Sequence, residues 1–231
     1  MYQELTLSNG ARILLERVAG ARSAALGFFV GAGSRHESAV ENGAAHFIEH
    51  MLFKGTARRS AAQLARDMDA IGGQVNAYTT KEHTCFYARS LDRHLDQALD
   101  ILSDMLFHSR FAQKDVEMER SVILEEIGMY EDAPDDLVSE RLAAAVYKGS
   151  PLARPILGTQ STLAPMTGAW LDQWRREHYR PGVLVAALAG SFTDSQVDKL
   201  KDCLSALEPG VAPVQKPAAY RPAVTARKKA I

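Results

Sequence analysis

His46, Glu49 and His50 lie together in the stretch "NGAAHFIEHMLFKGT". Histidines four apart on a helix project from one face, about one turn from each other. Two imidazoles so placed suit a small divalent cation. Glu49, one residue before the second histidine, falls on the flank of that face, within reach of a water on such an ion without being its ligand. The same spelling, H-x-x-E-H, is ordinary on a solvated helix face, but its surroundings here are not. Residues 44–54 contain no Pro and no Gly, and Ala45, Phe47, Ile48, Met51, Leu52 and Phe53 spread over most of a helical circumference at roughly 100° per residue. A helix that is apolar nearly all round is a buried one. Leaving a carboxylate and two imidazoles there costs several kcal/mol unless they are paired or coordinated. A metal accounts for all three.

A catalytic zinc site takes three protein ligands and keeps a position for water, and H-x-x-E-H is the inverted form of the zincin spelling. The segment "QKDVEMERSVILEEIGMYED" offers Glu117, Glu119, Glu125, Glu126 and Glu131 as the third ligand. Helical geometry separates them. Counting about 100° per residue from Val116, Glu119 falls near about 300° and Glu126 near about 280°. Both lie within an apolar arc formed by Val122, Ile123, Ile127, Met129 and Tyr130, which Leu124 interrupts. Glu117, Glu125 and Glu131 point away from that arc. One inward acid can ligate the metal while the other orients a histidine. The helical face does not say which does which, and a salt bridge to a buried arginine is the competing reading of the pair.

Other elements must hold these two helices. "ELTLS", Asn9-Gly10 and "ARILLERV" read as a hairpin, since Asn-Gly is the strongest short hairpin signal. "SAALGFFVGAGS" reads as a buried strand, and "SAAQLARDMDAIGG" as a helix capped by Ser60. "QVNAYTT" and "HTCFYARSL" read as two strands, and Asp92 as the cap of a helix to about His108. Residues 113–131 and "DDLVSERLAAAVY" give two more helices, and a Pro- and Gly-containing loop follows. A helix over 167–178, the strand "VLVAALAG" and a helix from Asp194 to about Leu207 complete the pattern. The expected fold is α+β, a mostly antiparallel sheet packed by helices. Residues 1–208 form the expected domain, and the proline-rich 209–231 read as a linker.

Composition narrows the functions. The chain has 231 residues, 46% apolar and 24% charged, with a net charge of −1. That is an ordinary soluble composition, with no basic signature for nucleic acid. No apolar run is long enough to span a membrane, and "MYQELTLSNG" has no signal-peptide pattern. Cys85 and Cys203 make no disulfide framework. A reducing, cytoplasmic location is the expectation.

The residues carry a resemblance. "GSRHESAVENGAAHFIEHMLFKGT", "GGQVNAYTTKEHTCFYA", "ERSVILEEIGMYEDAPDD", "SPLARPILGT" and "YRPGVLVAALAG" together resemble the N-terminal half of the pitrilysin-type (M16) zinc peptidases, most like the branch of the mitochondrial processing peptidases and their bacterial relatives. The resemblance implies one Zn2+ held by His46, His50 and Glu126, with Glu49 as general base and Glu119 behind a ligand. It implies hydrolysis of extended or unfolded peptides, laid as an added strand along "VNAYT" at Asn76, Ala77 and Tyr78; these three read equally well as an ordinary strand. It implies as partner a second homologous half, on the same longer chain or on a separate subunit. His36, His83, His94, His108 and His178 lack ligand spacing to the motif and read as structural or surface groups.

Two further function classes compete. A non-catalytic scaffold or assembly subunit of the same fold would bind peptide without hydrolysis, but has no need of a general base beside the histidines. A structural zinc site closes with four Cys or His ligands, and neither cysteine neighbours the motif.

Overall fold

The computed structural model describes residues 2–210; most of the expected linker, residues 211–231, lies outside them. The chain opens with β1 (Tyr2–Thr6) and β2 (Arg12–Arg17), antiparallel across the Asn9-Gly10 turn. Gly10 takes φ +95°, a conformation that a side chain would strain. β3 (Ser23–Val30) leads to α1 (Ala44–Leu52) and α2 (Ala61–Ala70). β4 (Gln74–Thr79) and β5 (Thr84–Leu91) form the second hairpin. Four helices follow: α3 (Leu95–His108), α4 (Gln113–Asp132), α5 (Pro134–Val146) and the single turn α6 (Gln160–Leu163). α7 (Gly168–His178), β6 (Leu184–Gly190) and α8 (Asp194–Ser205) complete the fold.

The described strands form one six-stranded sheet in the order β1-β2-β6-β3-β5-β4. Every pairing is antiparallel except β2 with β6, so the sheet is mixed but mostly antiparallel, as the sequence predicts. Register stacks the core: Phe28 lies opposite both Phe86 and Ala186, and Leu26 opposite both Ala88 and Leu188. Those residues and Ile13 and Leu15 are buried, giving the sheet one covered face, against which α1 and α3 pack. Among the described residues, no helix is long and apolar enough to cross a membrane.

Two local expectations change. α3 begins at Leu95: Asp92 opens a preceding 3-10 turn, and its carboxylate takes the amide of Arg93 (2.9 Å) and the hydroxyl of Ser191 (2.9 Å) instead of capping a helix. On α4 the apolar arc is wider in the sequence than in the fold. Val116, Glu119 and Ile123 are buried, while Val122, Met129 and Tyr130 are exposed. The buried stripe is narrow because α4 is covered along one line by α1 and α7, with α5 beside it.

Candidate metal centre

α1 is as buried as its sequence requires. Phe47, Ile48, Met51 and Leu52 are each 0–1% exposed. Its N-terminus is held by a residue that sequence periodicity does not reveal. The buried carboxylate of Glu37 accepts from the amides of Gly43 (2.9 Å) and Ala45 (2.8 Å) and from Asn42 Nδ2 (2.9 Å). It thus satisfies amides that a helix start leaves free and places negative charge at the positive end of the dipole. Burial raises the Glu37 pKa, partly offset by these bonds. Gly43 enters the helix at φ +99°, where a Cβ would meet Leu157 O and Leu163 Cδ2 at 2.8 Å.

This helix directs His46 and His50 together, with ring centroids 4.6 Å apart. α4 crosses beside it and supplies the two inward acids. The Nε2 atoms of His46 and His50 each lie 3.6 Å from the same oxygen, Glu126 Oε2. Two ligands about 2.0–2.1 Å from a tetrahedral ion stand roughly 3.3 Å apart, so two nitrogens and one carboxylate oxygen at this spacing fit a zinc-sized cation. The three candidate ligand atoms lie within 4.8 Å of one another, and this is the one such group that could hold a metal among the described residues.

Glu119 plays a different part. Its Oε2 lies 3.1 Å from Nδ1 of His50, the ring nitrogen away from Glu126, and its Oε1 pairs with Lys54 Nζ at 2.6 Å. A histidine whose Nδ1–H is taken by a carboxylate presents its Nε2 lone pair to a metal. Glu117, Glu125 and Glu131 are exposed. The two acids that the helical face left equivalent are therefore distinguished by depth: Glu119 is buried, and Glu126 is half-buried at the rim.

The electrostatics follow from burial and proximity. Burial, reinforced by the neighbouring charge of His50, drives the His46 pKa down to about 4, so this ring is neutral at pH 7. Its buried Nδ1 has no hydrogen-bond partner among the described residues. Burial alone would lower His50 as well, but the adjacent carboxylates of Glu126 and Glu119 outweigh it and raise its pKa. The His50 ring beside it holds Glu126 below the usual carboxylate range.

Glu49 flanks the group. Its pKa is raised by burial, and Oε2 accepts from the hydroxyl of Thr79 at 2.5 Å. Glu49, His50, Phe53, Lys54, Asn76 and Glu119 line one open cleft of about 260 Å³. Asn76, Ala77 and Tyr78 lie on β4, which ends the sheet and pairs only with β5 among the described residues. The Ala77 amide donates to Asn76 Oδ1 (2.9 Å). Tyr78 is exposed, its ring 5.8 Å from that of His83.

Thr79, Lys54 and Glu37 escaped the sequence reading. Thr79 alone carried a signal: strand alternation places it on the same face as Val75 and Ala77. The remaining histidines lie outside the metal-binding group. His36 Nδ1 accepts from the Gly33 amide (3.0 Å), and His178 stacks on Trp174 with ring centroids 3.7 Å apart.

Comparison with known proteins agrees with this architecture. Over 208 residues, 90% of this chain and 51% of the relative, the chain is 47% identical to the uncharacterized zinc protease YmxG of Bacillus subtilis (strain 168). It is 41% identical over 192 residues, 83% of this chain and 36% of the relative, to a probable mitochondrial-processing peptidase subunit beta of Arabidopsis thaliana. Its fold superposes on a peptidase M16 inactive domain from Pseudomonas fluorescens with a TM-score of 0.84 at 22% identity, covering 94% of this chain and 53% of that one. The chain spans between about a third and a half of the length of the curated relatives it matches. Residues 12–160, which carry every member of the metal centre, match the model of the insulinase family, and the chain is therefore a member of peptidase family M16.

Proposed function

We propose that this chain is the metal-bearing half of a zinc endopeptidase acting on extended or unfolded peptides. The observation that carries the reading is the approach of two histidine Nε2 atoms to one oxygen of Glu126, 3.6 Å each, with the half-buried carboxylate of Glu49 alongside. The fold alone does not carry it, since the Pseudomonas neighbour of the same fold is described as an inactive domain.

In this reading His46, His50 and Glu126 hold one Zn2+, and Glu119 holds the His50 ring in the ligating tautomer. Zinc bound there supplies a Lewis acid for the scissile carbonyl. Glu49 takes a proton from the attacking water and passes it to the leaving amine; its raised pKa brings it nearer the operating pH. The free edge of β4, at Asn76, Ala77 and Tyr78, receives the peptide as one more strand. Residues 1–208 are then one domain with 209–231 as its linker, and a second homologous half, on the same longer chain or on a separate subunit, encloses the substrate.

The test is cleavage of a quenched, unstructured peptide by the zinc-loaded chain, alone and with a complementary half added, each with and without a chelator. Chelator-sensitive cleavage that Glu49→Gln abolishes without releasing zinc supports the proposal. Zinc binding without cleavage in either arrangement would make the chain a peptide-binding subunit instead.

A further inference from the structure

β4 does more than present an edge. Its last residue, Thr79, reaches across to α1 and donates its hydroxyl proton to Glu49 Oε2 at 2.5 Å. Among the described residues, no other group donates to this half-buried carboxylate, and Oε1 is left to face the cleft. The donor itself is held tightly. Thr79 is β-branched, which restricts its χ1. It lies opposite Thr84 in the ladder, and the Thr84 hydroxyl is committed to the Ala32 carbonyl at 2.9 Å. A closed turn follows at once: Thr80 donates its amide to the His83 carbonyl (2.8 Å), and its hydroxyl accepts from the amides of Glu82 (3.2 Å) and His83 (3.0 Å). Thr79 therefore has little freedom of its own, whereas a glutamate has three side-chain torsions to fix.

We infer that Thr79 is a positioning residue for Glu49, fixing one carboxylate oxygen so that the other is free to accept a proton, and that it couples the base to the sheet edge. This rests on the assignment of Glu49 as general base above. The coupling is geometric. The backbone that would pair with an added peptide strand at residues 76–78 continues directly into the residue whose side chain holds the base. A peptide seated in register on β4 is thereby seated in register with Glu49. The residue type suits this work: a hydroxyl donates to a carboxylate without bringing a charge of its own that would compete with the neighbouring histidines.

The experiment compares Thr79→Val, which keeps the shape and removes the donor, with Thr79→Ser, which keeps the donor. Both are assayed as zinc-loaded protein with the complementary half present, and both are crystallised as the zinc-loaded chain. Thr79→Val is expected to bind one zinc and to keep KM within about twofold. Its kcat should fall by about 10–100-fold, part of the roughly 10²–10⁴-fold that a general base contributes. In its crystals the Glu49 carboxylate should leave its wild-type position. Thr79→Ser should recover most of kcat and restore the carboxylate. Crystals of Thr79→Val with Glu49 unmoved would overturn the inference, whether or not the chain turns over. A kcat near wild type in Thr79→Val beside an inactive Glu49→Gln would also overturn it while leaving the proposed function standing. Full activity in Glu49→Gln would instead remove the base assignment, and the inference with it.

Discussion

At the scale of single residues, the site divides into what spacing reveals and what only contact reveals. His46, Glu49 and His50 are legible because one helical turn relates them. Glu119 and Glu126 are legible as a pair because they share a face one heptad apart, but their roles separate only when depth is known. Thr79 meets Glu49 across 30 residues of chain, and no period connects a strand end to a helix flank. The ranking on α4 leads to a direct comparison. Glu126→Ala should weaken zinc binding by more than the roughly 10–100-fold typical of losing a group behind a ligand, whereas Glu125→Ala, on the exposed side, should leave it within about twofold. Chelator competition on the two variants measures this, and equal losses would discard Glu126 as a ligand.

At the scale of elements, some helix boundaries are readable from caps and glycines, and that of α3 is not, since Asp92 opens a 3-10 turn instead. Ser60 caps α2 by accepting the Gln63 amide, as its position predicts. What was not readable was how α1, α2 and α3 are tied. The fully buried carboxylate of Asp104 on α3 accepts from Thr56 Oγ1 (2.7 Å), Arg59 Nη1 (2.5 Å) and Arg58 Nε (3.0 Å), all from the loop between α1 and α2. Arg59 continues to Asp67 on α2 (2.9 Å). Burial alone would raise the Asp104 pKa, but the bonds to Thr56, Arg59 and Arg58 outweigh it and hold it below the ordinary 3.8. A carboxylate with a depressed folded pKa contributes stability that is present above its unfolded pKa and is lost as pH falls through the folded value. Asp104→Asn should therefore cost about 1–3 kcal/mol at pH 7 and show a shallower loss below about pH 4. Urea unfolding at pH 7 and pH 3 checks both; a variant as acid-sensitive as wild type would remove this network from the account.

At the scale of the whole molecule, the cover is uneven. The sheet and α1 are deeply buried, but among the described residues nothing encloses α5. None of its 13 residues is buried, and Val138 and Leu142 are 62% and 59% exposed. Amide exchange should thus be fast in α5 and slow in α1, β3 and β5. Protection of α5 equal to that of α1 would contradict the burial. The mostly antiparallel sheet was legible strand by strand, yet its order was not, because the β2–β6 pairing joins residues far apart in the chain and leaves no local pattern. That pairing also governs how the molecule is made. At about 5–20 residues per second of synthesis, the first hairpin waits on the order of ten seconds or more for β6, the strand that attaches it to β3. All the members of the metal centre emerge during that wait. A nascent chain thus carries its candidate metal-holding residues before its sheet can close, and the facing edges of β2 and β3 stay unpaired in the interval.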